Sequence, residues 1–159
     1  DVKIDKKGWN WKGHGYFDAN FGTRALEQDF SYWTWSRLPC KDGSIAFYDA
    51  DRREDKPLAV SLKFHLDGSV EEMLAPPETQ LSRSLWAVRR KTRSDIGYKP
   101  SQVKHMLDAP FYTRSAIKTK VNGEEIIGIH EALDLNRFSS PFLKPMLVMR
   151  VPRKTRWIT

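Results

Sequence analysis

Between residues 14 and 20 a polar side chain recurs at every second position: His14, Tyr16, Asp18 and Asn20. On an extended segment these four project to one side, while Phe17, Ala19 and Phe21 project to the other. An imidazole, a phenol, a carboxyl and an amide gathered this way can pass a proton or position water. Glycines at 13, 15 and 22 thin the backbone around them, which suits a bend or the close approach of a ligand. Facing the interior of a barrel, the row is a polar cluster in an enclosed space. On an edge strand the same row faces solvent, and alternation alone does not choose between the two.

Two further acids stand among apolar neighbours. In IAFYDAD, Ile45, Phe47, Asp49 and Asp51 share a face, and Glu131 shares one with Ile127, Ile129, Leu133 and Leu135. Desolvation disfavours the charged form of a carboxyl, so an acid on an apolar face is expected to titrate high and to serve as a proton donor near neutral pH. The competing reading for each is a buried ion pair with one of the 27 Lys and Arg residues. In FSYWTWSR, Trp33 and Trp35 sit two residues apart and form one flat aromatic wall, with core filling as its commoner use. His14 and His130 stand alone, and a lone strand histidine is more often a hydrogen-bonded structural residue.

The elements that must hold these groups are strands. In PLAVSLKFHL, residues 57–66, Leu58, Val60, Leu62, Phe64 and Leu66 alternate with Ala59, Ser61, Lys63 and His65, the pattern of a half-buried strand. Asp67-Gly68 and Asn122-Gly123 are primed hairpin turns, so the pairing is antiparallel. Further strands are expected at 13–21, 30–37, 44–51, 84–92, 111–121, 125–135 and 142–151. Short helical turns are expected in GTRALEQDF and KPSQVKHML, and LAPPETQLS is expected to be a connection, because Pro76-Pro77 cannot continue a ladder. The architecture predicted is an all-β antiparallel barrel or sandwich with one or two short helices.

The chain is 159 residues long, 40% hydrophobic and carries a net charge of +7. That is the length of one domain with enough apolar content for a core. No run approaches the roughly 18 apolar residues of a membrane span. The start at Asp1 shows no signal-peptide pattern and reads as part of a longer chain. One cysteine, Cys40, and histidines at 14, 65, 105 and 130 show no metal-ligand spacing, and a reducing compartment is the expectation. Basic residues cluster at Arg83, Arg89, Arg90, Lys91 and Arg93, and again at Arg150, Arg153, Lys154 and Arg156. Such clusters attract nucleic acid or anionic lipid, and solvated strand faces look the same. The aromatics alternate with apolar residues rather than with Lys and Arg, so a nucleic-acid stacking platform is not indicated.

The ordered run Gly13-His14-Gly15-Tyr16-Phe17-Asp18-Ala19-Asn20-Phe21-Gly22, then Trp33-Thr34-Trp35-Ser36-Arg37, Phe47-Tyr48-Asp49 and HEALDLNRF, resembles the carotenoid 1,2-hydratases, from about Trp9 to Arg153. The resemblance implies a lipocalin-like β-barrel that is the C-terminal half of a two-domain protein, partnered by an N-terminal β-domain. It further implies hydration of the terminal double bond of an acyclic carotene such as neurosporene or lycopene, without a cofactor or metal. An unactivated alkene must be protonated first, and the tertiary cation left behind is stabilised by aromatic faces before water adds. The residues implied are Asp49 as the first choice of proton donor, with Asp18, Glu131 and Tyr48 beside it. Substrate contacts are expected from Tyr16, Asn20, Trp33, Trp35, Phe47, Trp86, Tyr112 and His130. DAPFYTRSAI, residues 108–117, reads as a mouth loop or as a strand entry held by an Asp to Arg bridge. A non-catalytic carrier of apolar ligands and a related terpenoid or polyene cyclase are the alternatives. The basic clusters suit docking of a cytoplasmic protein on the anionic inner membrane surface, where carotenes dissolve.

Overall fold

The computed structural model describes residues 2–4, 7–10, 16–143 and 145. Its frame is a seven-stranded antiparallel sheet. In chain order the elements are β1 (Val2–Ile4), β2 (Lys7–Trp9), helix α1 (Leu26–Asp29), β3 (Phe30–Cys40), β4 (Gly43–Arg52), β5 (Leu58–His65) and β6 (Val70–Glu72). There follow β7 (Glu78–Gln80), β8 (Lys91–Arg93), β9 (Ser101–Asp108), β10 (Tyr112–Val121), β11 (Glu124–Asp134) and helix α2 (Leu135–Phe138). The ladder runs β6-β5-β4-β3-β11-β10-β9, and β1-β2 and β7-β8 form separate two-stranded ribbons. The all-β, lipocalin-like architecture with two short helices is as expected. Among the described residues the ladder is open at β6 and β9 rather than closed into a barrel.

Both hairpins reverse where expected, but only Asn122-Gly123 is a primed turn: at Asp67-Gly68 the glycine alone is left-handed, and the His65 N–H donates to the Ser69 carbonyl around a three-residue loop. Gly68 has φ 88°, and at Asn122 and Gly123 φ is 53° and 83°, the left-handed pair that joins β10 to β11. Asp95 locks the second turn by accepting from the N–H groups of Asn122 and Gly123. At Gly128 the chains approach so closely that a Cβ would lie 2.2 Å from the Arg37 carbonyl oxygen, so only glycine lets β11 lie against β3 there.

Period-2 alternation sorts the sheet into two faces. One face carries Tyr32, Thr34, Ser36 and Leu38 of β3, Ile45, Phe47 and Asp49 of β4, Ser115, Ile117 and Thr119 of β10, and Ile126, His130 and Ala132 of β11, all buried. The segment from Pro76 to Ser94 covers it. Leu38, Ile45, Phe47, Val121 and Ile126 form the main apolar cluster, and Val88 plugs a second one with Tyr32 and Ala132. The opposite, open face carries Trp33, Trp35 and Arg37 of β3, Tyr48 and Ala50 of β4, and Glu131 and Leu133 of β11.

Three expectations need correction. KPSQVKHML is not helical: Ser101–Asp108 pairs with β10 through two register shifts, so tertiary pairing overrides the local pattern. Residues 84–92 are mainly loop, because Ala87 takes φ 57° and Ala87 N–H donates to the Ser84 carbonyl, a turn that no ladder accommodates. Only Lys91–Arg93 at its end is strand. Residues 16–25 carry no strand. Gly13, His14 and Gly15, most of 142–151 and the cluster at 150–156 lie outside the described residues.

Candidate functional site

Tyr16, Asp18 and Asn20 do project together as their spacing predicts, and they project onto the open face of the sheet. Phe17 and Phe21 point to solvent, 89% and 97% exposed. The Asp18 carboxyl accepts three hydrogen bonds on one oxygen, Oδ2: from Tyr48 Oη at 3.0 Å, Tyr16 Oη at 3.2 Å and Asn20 Nδ2 at 3.4 Å. The two phenol oxygens are themselves 2.7 Å apart. No other residue among the described ones donates to Oδ1. Burial, first, and then the neighbouring hydroxyl and carboxyl raise Tyr48 above the usual phenol range. Burial likewise raises Tyr16. Both are therefore neutral donors at ordinary pH.

The floor beneath them is aromatic. Tyr16 lies 5.1 Å from Trp35, centroid to centroid, and Tyr48 lies 6.2 Å from it. The Arg37 guanidinium stands over the other side of Tyr16 at 5.3 Å. A cavity of about 230 Å³ opens here, lined by Tyr16, Asp18, Asn20, Trp33, Trp35, Arg114 and Glu131. Arg114 Nε reaches Glu131 at 3.4 Å, the pair being directly opposite across β10 and β11. Burial, and after it the Glu131 carboxylate nearby, raise Tyr112 above the usual phenol range. The expected Asp to Arg bridge is thus made by Glu131, while Asp108 accepts from the Leu85 N–H at 2.7 Å.

A second cavity, of about 280 Å³, continues from Asn20, Trp33 and Tyr48 along Leu26, Phe30, Ala50 and Leu58. Its walls are almost wholly hydrocarbon. Leu26, Phe30, Ala50 and Leu58 are functional candidates that sequence reasoning missed. Their signal was available: Leu58 leads the alternating face of β5 and sits opposite Ala50 on β4, the small residue that leaves the space.

The other expected site residues are elsewhere. Asp49 is on the covered face, 4% exposed, and both its oxygens accept from Arg93: Nε at 3.1 Å to each and Nη2 at 2.5 Å to Oδ1. The buried ion pair is therefore the reading that describes Asp49. Phe47 is wholly within the apolar cluster, and His130 is fully buried, its Nδ1 3.0 Å from Ser36 Oγ, which in turn meets Thr92 Oγ1 at 2.9 Å. Trp86 lies on the covering segment. Of the basic run, Arg90 is 2% exposed and bonded to Ser82, Gln102 and Ser115, Lys91 pairs with Glu78, and Arg93 with Asp49, which leaves Arg83 and Arg89 on the surface.

His130 carries a pH prediction. Burial, with Arg90 adding to it, pushes its imidazole from an ordinary 6.5 down to about 3. The unfolded chain takes up this proton near 6.5 and the folded chain does not until about 3, so stability falls as pH drops through that window. Urea unfolding should show a loss from this group of up to about 1.4 kcal/mol per pH unit below about pH 6. A His130→Asn variant should lose that part of the slope, and an unchanged slope would show that another group sets it.

Fold and site together describe an all-β protein that sets a hydrogen-bonded carboxyl at the end of an apolar slot. The chain belongs to the carotenoid hydratase CrtC family, whose family model matches residues 1–159. It is similar to the acyclic carotenoid 1,2-hydratase of Rhodobacter capsulatus, 53% identical over 159 residues, covering 99% of this chain and 57% of that protein. The acyclic carotenoid 1,2-hydratase of Cereibacter sphaeroides is 53% identical over 157 residues, 98% of this chain and 56% of the relative. That of Thiocapsa roseopersicina is 37% identical over 154 residues, 96% of this chain and 38% of the relative. The chain thus spans little more than half the length of the first two relatives. No solved structure matches it.

Proposed function

We propose that the chain carries the reacting site of a hydratase that adds water to the terminal C1–C2 double bond of an acyclic carotenoid. The observation that supports this most is the Asp18 carboxyl, held by Tyr16, Tyr48 and Asn20 over the Trp35 ring at the head of an apolar slot. In this reading the Leu26, Phe30, Ala50 and Leu58 slot takes the polyene end and excludes water from it. Asp18 Oδ1 delivers a proton to the less substituted alkene carbon, and the π pair becomes the new C–H bond. The three donors on Oδ2 stabilise the carboxylate that remains. The tertiary cation lies against the negative faces of Trp33 and Trp35. Water forms the C–O bond and gives its proton to Glu131, held by Arg114. Exchange with solvent returns a proton to Asp18. Every step uses groups of the chain and the water added, so no cofactor enters.

The proton donor in this reading is Asp18 rather than Asp49, whose oxygens are both committed to Arg93. The test is incubation of the full-length protein with an acyclic carotene in ¹⁸O-labelled water, followed by mass analysis. A product heavier by one labelled water supports the reading, and carotene recovered unchanged overturns it. The slot makes its own prediction. Leu58, 39% exposed on the rim, becomes Asp without disturbing the core, and Leu58→Asp should raise KM for the carotenoid about 10–100-fold, the worth of ~1.5–3 kcal/mol of buried leucine, with a smaller change in kcat.

A further inference from the structure

We propose that the loop from Arg83 to Arg89 is a membrane anchor that inserts Leu85 and Trp86 into the headgroup boundary of an anionic bilayer. Leu85 is 89% and Trp86 53% exposed, side by side at the tip, with exposed Arg83 on one side and, on the other, Arg89, whose guanidinium lies over the Tyr32 ring and pairs with Asp51 at 3.4 Å. Their exposure is built in. Ser84 N–H donates to the Val88 carbonyl at 3.2 Å, and Ala87 N–H to the Ser84 carbonyl at 2.9 Å. The Val88 N–H donates to Ser84 Oγ, and the Val88 side chain is wholly buried against Tyr32 and Ala132. The two tip residues are tied by their backbones to different elements: Leu85 N–H to Asp108 at the end of β9, and the Trp86 carbonyl to the Arg137 guanidinium of α2 at 2.7 Å.

Ala87 meanwhile holds φ 57°, a left-handed conformation that a residue with a Cβ adopts at a cost. A loop so fixed does not turn its apolar side chains inward, and strain kept in a surface turn points to use rather than accident. The chemistry selects the occupant. Tryptophan is the side chain of the membrane interface, leucine adds hydrocarbon below it, and a flanking cation such as Arg83 meets lipid phosphate. From Ser82 to Ser94 the sequence holds no acidic residue, the two carboxylates that reach the loop, Asp108 and Asp51, are bonded to the Leu85 N–H and to Arg89, and the chain as a whole carries +7. The inference stands on this loop alone and does not require the hydration reading.

The test is partition of the full-length protein onto vesicles of phosphatidylcholine alone and of phosphatidylcholine rich in phosphatidylglycerol. The unchanged protein should sediment with the anionic vesicles, and Leu85→Ser/Trp86→Ser should weaken that partition at least tenfold, with an unaltered thermal melt. Arg83→Gln should weaken it about fivefold, the effect of one cation near an anionic surface. Brominated lipid should quench tryptophan fluorescence in the unchanged protein, and Trp86→Phe, which keeps the fold and an apolar tip, should lose most of that quenching. Failure of the unchanged protein to bind vesicles overturns the proposal, as does binding or quenching that the loop variants leave as it was. Vesicle indifference together with loop-dependent capture of a protein partner would assign the tip to a protein interface instead.

Discussion

Asp18→Asn should lower carotenoid hydration by about 10²–10⁴-fold, the usual worth of a positioned general acid. Asparagine keeps the shape of the side chain and an acceptor oxygen for Tyr16 and Tyr48, but it has no acidic proton to give. Affinity for the carotenoid should stay within about twofold, because Asp18 does not line the Leu26, Phe30, Ala50 and Leu58 slot that the proposed function gives to the polyene. The measurement is product formed in labelled water beside binding followed by tryptophan quenching. Tyr48→Phe removes one donor from Oδ2 and should cost about tenfold, in keeping with one hydrogen bond to a charged group. A variant at Asp18 that hydrates normally would remove this carboxyl from the chemistry. Tight binding by the unchanged protein with no product at all would instead describe a carrier.

Arg93→Met should cost about 3–5 kcal/mol of folding stability, a different consequence from a different acid. Arg93 Nε and Nη2 hold both oxygens of Asp49, and Nη1 donates to the Pro76 carbonyl at 2.8 Å, so one guanidinium joins β4 to the start of the covering segment. Removing it leaves a carboxylate 4% exposed with its principal partner gone. Replacing both partners, as in Arg93→Met/Asp49→Leu, should recover much of the loss, because two apolar groups leave no uncompensated charge. Denaturant midpoints of the two variants decide it. A single variant as stable as the parent would mean that water or another cation reaches Asp49.

The strand frame was legible because its signals are local. Alternation in 57–66, the Asp67-Gly68 and Asn122-Gly123 turns and the two faces of FSYWTWSR each depend on neighbours two residues apart. The grouping of Tyr16, Asp18 and Asn20 was legible for the same reason, although the segment is not a strand. What local pattern does not contain is the partner across space. Asp49 looks the same in sequence whether its apolar face meets a polyene or Arg93, 44 residues away. Ser101–Asp108 became a strand because β10 was there to pair with it, and in the run from Arg83 to Arg93 three cations pair with Asp51, Glu78 and Asp49 while Arg90 is buried against Ser82, Gln102 and Ser115. For the slot the sequence held only half of the signal, the alternating face that Leu58 leads, because the void itself is defined by what Ala50 lacks across β4 and β5.

The two-faced ladder of β3 and β4 has an evolutionary corollary. From Tyr32 to Leu38 even-numbered side chains enter the core and odd-numbered ones lie on the open face, where Trp33 lines the slot, while on β4 Ile45, Phe47 and Asp49 enter the core and Tyr48 faces the slot. Mutations at Trp33 or Tyr48 can therefore reshape the slot while the interior keeps its packing. Descendants of this sequence are free to reshape that face without refolding, and their divergence should be written in every second letter of these two strands.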